Sequence, residues 1–265
     1  MAGGSRSVLF FEQDAYYIML PLPRPRAPHM TSNSESVSAS LAKANRILAR
    51  EGVLDAFGHV SIRHPDDPGR FFLARSLAPE LVTADDILEF DLSSQPVHPR
   101  DVALYSERVI HGGIYRARPD VNAICHHHAP SILPFCLATL ELKVVTQLGA
   151  SIGTHVPMWD QRDEFGATNH LVVREDEAMS LARCLASASI VLMKRHGATV
   201  VGSNLRDLAF RCIYSCRDAD LQLRALDYGD IDSFANAEIE LAAKFPEATL
   251  TRAWNYWCSR LPPEP

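Results

Sequence analysis

Three consecutive histidines follow the apolar segment 121–125, whose sequence is VNAIC. A short apolar segment with β-branched residues is typical of a buried strand. Because side chains alternate between the two faces of a strand, we expect His126 and His128 on one face and His127 on the other. Three imidazoles in a row are uncommon in an ordinary core, since buried rings need hydrogen-bond partners. The pattern therefore predicts a sheet with two histidines side by side on one face of a strand.

A histidine pair of this kind offers two nitrogen ligands to a divalent transition metal, and a third ligand has to come from elsewhere in the fold. His196 is the candidate, because it follows a second buried apolar segment, 190–193, and precedes Gly197. A glycine at that position lets the backbone approach the site closely. We therefore predict a metal site that leaves coordination positions open for chemistry.

Glu107 lies on a predicted helix, 106–116, that directly precedes the histidine strand. A carboxylate beside such a metal can act as a transient ligand, a general base or a general acid, although a surface glutamate would also fit this position. Ser106 is the expected N-cap of the helix. His59, at the start of a predicted strand over 58–63, is a second candidate for the site.

The composition is that of a soluble α/β protein with a sizeable core. The chain has 265 residues, 47% of them hydrophobic, and a formal net charge of -6. Acidic and basic residues are interspersed without a basic stripe, which argues against a nucleic-acid partner. The six cysteines show no paired spacing and are interpreted as reduced thiols of a cytoplasmic protein. No run of eighteen apolar residues occurs, so we expect no membrane span.

The first thirty residues differ from the rest. Short apolar runs, broken by Glu12 and Asp14, precede a proline-rich stretch, and neither pattern fits a signal peptide or a regular element. We interpret 1–30 as a non-native or disordered leader and 31–265 as a single α/β domain. Helices are predicted over 36–51, 106–116, 175–187 and 205–226 and from 233, strands over 58–63, 71–74, 87–92, 121–128, 190–193 and 199–202, and short strands within 146–169.

Four motifs occur in a fixed order along the chain. They are Gly-x-x-Ser at 58–61, Ser-Glu at 106–107, His-x-His at 126–128 and His-Gly at 196–197. This series resembles the class II aldolase/adducin family over about residues 36–230. The resemblance implies a three-layer α/β/α sandwich around a central, mostly antiparallel sheet. It also implies a homotetramer with active sites between the subunits.

The same resemblance implies roles for the candidate residues. His126, His128 and His196 would bind the metal, and Glu107 would transfer a proton. Mn²⁺ is the expected ion, with Zn²⁺, Fe²⁺ and Co²⁺ as alternatives. Metal ions in this family stabilise a developing oxyanion as Lewis acids, which suits an open histidine site.

Departures from the sugar-phosphate members of the family point to a different substrate. Those proteins usually have asparagine at the position of His59, a glycine at the position of Leu77 and a small hydroxyl residue at the position of Tyr105. Without the glycine, close backbone N–H groups cannot cradle a phosphate in the usual way. The residues present would suit a flat, anionic substrate instead.

With Gly-His-Val-Ser, Tyr-Ser-Glu and Arg-Ser-Leu-Ala-Pro, the chain resembles decarboxylases of ortho-hydroxylated aromatic dicarboxylates. Examples are enzymes acting on 3-hydroxy-2-methylpyridine-4,5-dicarboxylate, in vitamin B6 degradation, or on a dihydroxyphthalate. The metal would chelate the ring hydroxyl and the departing carboxylate. Arg75, Ser76 and Tyr105 would contact the substrate, and Glu107 or His59 would supply the proton.

Other classes of function stay open. The chain could be a sugar-phosphate aldolase or epimerase, or an adducin-like interaction module without chemistry. Three histidines would also suit an Fe(II) oxygenase. His127, on the opposite face of the strand, is expected to contact another subunit or to be a further source of the proton.

Overall fold

A seven-stranded sheet forms the centre of the protein in a computed structural model, which describes residues 36–264. Its strands are β1 (His59–Arg63), β2 (Arg70–Ala74), β3 (Ile87–Asp91), β4 (Ala123–His127), β5 (Met158–Trp159), β6 (Ile190–Met193) and β7 (Gly197–Gly202). Their order across the sheet is β3-β2-β1-β4-β7-β6-β5. All neighbouring strands are antiparallel except β5 and β6, which are parallel. The predicted, mostly antiparallel sheet is therefore confirmed.

Eight α-helices accompany the sheet within the described residues. They are α1 (Val37–Arg50), α2 (Val109–Ala117), α3 (Leu133–Leu137), α4 (Arg162–Phe165), α5 (Glu175–Leu185), α6 (Leu205–Ala225), α7 (Asn236–Ala242) and α8 (Glu247–Ser259). A 3-10 turn, Ser106–Arg108, leads directly into α2. Ser36 caps α1 through its hydroxyl, and Asn204 caps α6 through its side-chain oxygen.

Helices cover both faces of the sheet because the side chains of its central strands alternate. Cys125 and Val200 belong to one hydrophobic cluster, together with residues of α1, α6 and α8. Their neighbours Ile124 and Val201 belong to a second cluster, with residues of α2 and α5. This arrangement confirms the predicted three-layer α/β/α sandwich.

Some local expectations were wrong. Ser106 does not cap α2, because the chain enters the helix through the 3-10 turn, where no side chain makes a capping hydrogen bond. The middle segment 146–169 contains the two-residue β5 rather than several strands. Helix α8 was not predicted. The expected leader, 1–30, lies outside the described residues, and no helix within 36–264 is both long and apolar enough to cross a membrane.

Candidate metal centre

The candidate site lies where the central strands β1, β4 and β7 meet the turn before α2. His126 pairs in register with His59 on β1 and with Thr199 on β7. His196 precedes β7 in the tight connection from β6, and Glu107 lies in the 3-10 turn. Residues that are far apart in sequence therefore meet at one end of the central strands.

The three predicted metal ligands and Glu107 form one cluster. One ligand atom from each of Glu107, His126, His128 and His196 lies within 4.8 Å of all the others. Glu107 Oε2 is 3.7 Å from His126 Nε2 and 3.6 Å from His196 Nε2. The His128 and His196 rings are stacked with centroids 5.1 Å apart, and His126 meets both edge-on. Three imidazoles and a carboxylate are a suitable donor set for a divalent transition metal.

The hydrogen bonds of His126 support this assignment. Its Nδ1 lies 3.2 Å from Thr199 Oγ1, which in turn lies 3.4 Å from Met193 Sδ. If the Thr199 hydroxyl donates to the sulfur, its oxygen accepts from the Nδ1–H of His126, and the lone pair is on Nε2. This Nε2 is buried, and no described residue gives it a hydrogen bond. A buried lone pair without a donor fits a metal ligand.

Burial also keeps His126 and His128 in the form that binds metal. Burial, followed by the neighbouring His196, lowers the pKa of His126 well below its ordinary value. The same two causes lower the pKa of His128. Neutral imidazole is the form that coordinates a metal, so these rings are ready to bind an ion at neutral pH.

Glu107 is oriented by a backbone group that sequence reasoning did not find. Its Oε1 accepts the N–H of Val172 at 2.9 Å, which leaves Oε2 facing the histidines. The segment that follows Val172 is tied to the start of α5, because Glu177 accepts the N–H groups of Val173 and Arg174. No side-chain motif in the sequence marks a backbone donor of this kind.

A cavity of about 580 Å³ opens beside the cluster. It is lined by residues 56–59, 76–78 and 104–107 together with His128, Leu171 and His196. The predicted site residues His59, Ser76 and Tyr105 are therefore brought together with the metal cluster. Phe57 and Leu171 are additional lining residues that the sequence did not single out, and they are 69% and 40% exposed.

Arg75 is the predicted site residue that the structure does not bring to the cavity. Its Nε donates to Asp86 Oδ1 at 2.7 Å, and no arginine or lysine of the described residues lines the cavity. Tyr105 does line it, but its hydroxyl donates to the carbonyl of Leu77. Burial raises the pKa of Tyr105, so the hydroxyl stays protonated. Tyr105 therefore lines the cavity with its hydroxyl already engaged by the backbone.

The family model described as Class II Aldolase and Adducin N-terminal domain matches residues 39–223. The chain belongs to the class II aldolase/adducin family. Solved structures agree with the fold of this family member. L-fuculose 1-phosphate aldolase from Glaciozyma antarctica PI12 superposes with a TM-score of 0.70 at 21% identity, covering 84% of this chain and 87% of that chain.

Curated relatives of this aldolase/adducin domain include named decarboxylases. Decarboxylase tropJ of Talaromyces stipitatus is 30% identical, over 80% of this chain and 88% of that protein. The 3,4-dihydroxyphthalate decarboxylase of Arthrobacter keyseri is 25% identical, over 84% of this chain and 92% of that protein. Human beta-adducin is 22% identical over 71% of this chain, which spans only 27% of the adducin.

His127 does not have either of its expected roles, a contact with another subunit or a further source of the proton. Its side chain is fully buried within a single chain, on the face opposite to His126. Its Nδ1 accepts the N–H of Ala129 at 3.3 Å, and it does not line the cavity. The expected subunit contact is therefore wrong, because no part of the side chain is exposed, and the alternative role as a proton source lacks access to the cavity.

Proposed function

We propose that this protein is a metal-dependent decarboxylase of an aromatic carboxylate that carries a hydroxyl group on the neighbouring ring carbon. The observation that carries the proposal is the cavity beside Glu107, His126, His128 and His196, which offers an open metal site in a family whose named relatives include decarboxylases. Candidate substrates are 3-hydroxy-2-methylpyridine-4,5-dicarboxylate and a dihydroxyphthalate.

The reaction replaces a ring carboxylate by hydrogen. A proton adds to the carbon that bears the carboxylate, the bond to the carboxylate breaks, and its electron pair returns to the ring as CO₂ leaves. Protonation makes the neighbouring ring oxygen ketone-like, and negative charge develops on this oxygen as the electron pair returns to the ring. A site for this reaction therefore needs a proton carrier and a group that stabilises charge on that oxygen.

The cluster supports both needs. A divalent ion held by His126, His128 and His196 would supply a Lewis acid for the ring oxygen, with Mn²⁺ as the first candidate and Zn²⁺, Fe²⁺ or Co²⁺ as alternatives. Glu107 would transfer the proton through Oε2, because its Oε1 is already engaged by Val172. Substrate carboxylates would be bound by uncharged donors, since the cavity has no cationic lining residue among those described.

The apolar side chains support an aromatic rather than a sugar substrate. Leu77, Leu104 and Leu171 line the cavity together with the rings of Phe57 and Tyr105. Apolar and aromatic surface of this kind suits a planar ring, whereas a sugar phosphate would need donors for its hydroxyls and a phosphate cradle. We further propose a cytoplasmic homotetramer with sites between subunits, and the exposed Phe57 beside the cavity is compatible with a neighbouring subunit.

The test is CO₂ release by the purified protein from the two candidate acids, with a ketose phosphate assayed in parallel for retro-aldol cleavage. We expect CO₂ release that stops with a chelator, returns with Mn²⁺ and is lost in His126→Ala. His98→Ala is the matched control, because His98 is exposed and lies outside the cluster. Unchanged turnover after complete demetallation, or cleavage of the ketose phosphate alone, would refute the proposal. Light scattering in solution tests the tetramer separately.

A further inference from the structure

A buried row of hydrogen-bonding groups runs from His59 into the interior. His59 Nδ1 lies 2.6 Å from His111 Nε2, and His111 Nδ1 lies 2.6 Å from Ser61 Oγ. Ser61 Oγ lies 2.8 Å from the hydroxyl of Tyr115. All four side chains are buried, and only His59 lines the cavity. Its Nδ1 is engaged inside, so Nε2 is the ring nitrogen that is available to the cavity.

The row follows from the geometry of one strand and one helix. His59 and Ser61 are two residues apart on β1 and therefore share a face of the sheet. His111 and Tyr115 are four residues apart on α2 and therefore share a face of the helix. Because α2 packs on the same sheet face, the two pairs interdigitate.

His111 restricts the direction of the hydrogen bonds. Burial lowers the pKa of His111 to about 3, so the ring is neutral and carries one N–H. It can therefore donate to Ser61 or to His59, but not to both. The hydroxyls of Ser61 and Tyr115 have to follow whichever direction His111 takes.

The contacts of Tyr115, at the interior end of the row, favour one direction of hydrogen-bond donation. The carbonyl of Asn122 lies 3.4 Å from the Tyr115 hydroxyl and already accepts the N–H of Arg63 at 2.8 Å. Ser61 Oγ, at 2.8 Å, is the better acceptor for Tyr115. Tyr115 then donates to Ser61, Ser61 donates to His111 Nδ1, and the Nε2–H of His111 donates to His59 Nδ1.

We propose that Tyr115, Ser61 and His111 are positioning residues that hold His59 in its Nε2–H form, so that a fixed, uncharged N–H donor faces the cavity and binds a carboxylate oxygen of the ligand. The assignment of the His59 tautomer is independent of the proposed activity. The role of His59 in carboxylate binding rests on the function proposed above. A fixed donor suits an oxygen that only accepts hydrogen bonds, and it takes the place of an arginine, which is absent from the cavity lining within residues 36–264.

The first experiment reads the tautomer directly. Two-bond ¹H–¹⁵N correlation spectra of histidine-labelled, Zn²⁺-loaded protein distinguish the two neutral forms of each ring, and His59→Gln and His111→Gln assign the signals. We expect an Nε2–H form for both His59 and His111. An Nδ1–H form of either ring would overturn the proposal, whatever the protein's activity.

The second experiment tests the role in binding. Salicylate carries a ring hydroxyl and a carboxylate, whereas catechol carries two hydroxyls and no carboxylate. Loss of a hydrogen bond to a charged group is worth about tenfold or more in affinity, so we expect His111→Phe to weaken salicylate by that factor and to leave catechol unchanged. His111→Gln, which retains an N–H donor, should recover most of the salicylate affinity.

The outcomes separate the two proposals. Unchanged salicylate affinity in a folded His111→Phe protein, or an equal loss for catechol, would overturn the role in carboxylate binding. Failure of the unsubstituted protein to bind either compound would count against the proposed function, while the spectra would still decide the tautomer. Thermal melting of each variant identifies a loss of folding, and in that case the spectra of the unsubstituted protein remain the deciding measurement.

Discussion

Thr199 Oγ1 lies 3.2 Å from His126 Nδ1, directly across the pairing of β4 and β7. The same oxygen is 3.4 Å from Met193 Sδ on the next strand, β6. Three adjacent strands thus contribute to the orientation of a single imidazole. Because His126 is buried and cannot reach water, its ring nitrogens have to be satisfied by these neighbours and, under the proposed function, by a metal ion.

Thr199→Val should weaken metal binding. Valine has nearly the same shape as threonine but cannot accept the Nδ1–H of His126, so the ring loses the partner that orients it. We expect the affinity for Mn²⁺ to fall about 10–100-fold, as is typical when an outer hydrogen bond to a ligand is removed. Calorimetric titration with Mn²⁺ measures this, and Thr199→Ser, which keeps the hydroxyl, should bind nearly normally. Equal affinities in both variants would contradict the role of Thr199.

Glu107→Gln should reduce the reaction more than it reduces stability. The amide oxygen can still accept the N–H of Val172, but the carboxylate that would carry the proton is gone. At saturating Mn²⁺ we expect CO₂ release to fall by about a hundredfold or more. Glu175→Gln is the control, since that carboxylate is 61% exposed and pairs with Arg116 on the surface. A Glu107→Gln enzyme with normal turnover would remove Glu107 from the mechanism.

Gly197→Ala should destabilise the protein strongly. A Cβ at Gly197 would lie 2.3 Å from the backbone oxygen of His127, so β4 and β7 would have to separate. Gly166→Ala provides a comparison, because Gly166 has φ of 67° but open space around the added carbon. That variant should lose about 1–3 kcal/mol from its backbone conformation alone, and Gly197→Ala should lose more. Urea unfolding measures both, and similar losses would show that the close approach at Gly197 is unimportant.

Stability should fall as the solution becomes acidic. The pKa of His111 is about 3 in the folded protein and 6.5 as its ordinary value, so below pH 6.5 the unfolded chain binds a proton that the folded chain does not. The contribution is fully present above pH 6.5 and is lost as the pH falls toward 3, by at most about 1.4 kcal/mol per pH unit for this group.

Urea unfolding at several pH values checks this expectation. His111→Gln should show a shallower loss of stability between pH 6.5 and 5, because glutamine does not titrate, whereas His98→Gln at an exposed position should follow the unsubstituted protein. Parallel curves for all three proteins would contradict the assignment of a buried, neutral His111.

The separation of His126 from His127 was predictable from the sequence. Alternation along a strand is a local property of the backbone, so it needs no knowledge of the neighbouring strands. The same is true of the strands β1 and β6 and of α6, whose predicted limits agree with the structure to within two residues. The order of the four motifs predicted the family, and membership of that family implied the sandwich fold.

The partners that orient the site residues, by hydrogen bonds or ion pairs, were not predictable in this way. Val172 is 65 residues from Glu107, and it contributes a backbone N–H that any residue other than proline would provide. Arg75 was expected at the substrate, but it pairs with Asp86, which lies in the 3-10 turn directly before β3. The positions of such partners depend on the paths of loops. Loops have no repeating sequence pattern from which those paths could be predicted.

The sequence by itself determined the candidate side chains for the chemistry: two histidines on one face of a strand, a third before a glycine, and a carboxylate in the segment that precedes the histidine strand. These follow from residue type and from periodicities that act over a few residues. The tertiary structure alone decided how each of them is held, with Thr199 on His126, Val172 on Glu107, and His111 on His59. Hydrogen-bond partners are selected by the packing of distant elements, and packing is settled only when the whole chain has folded.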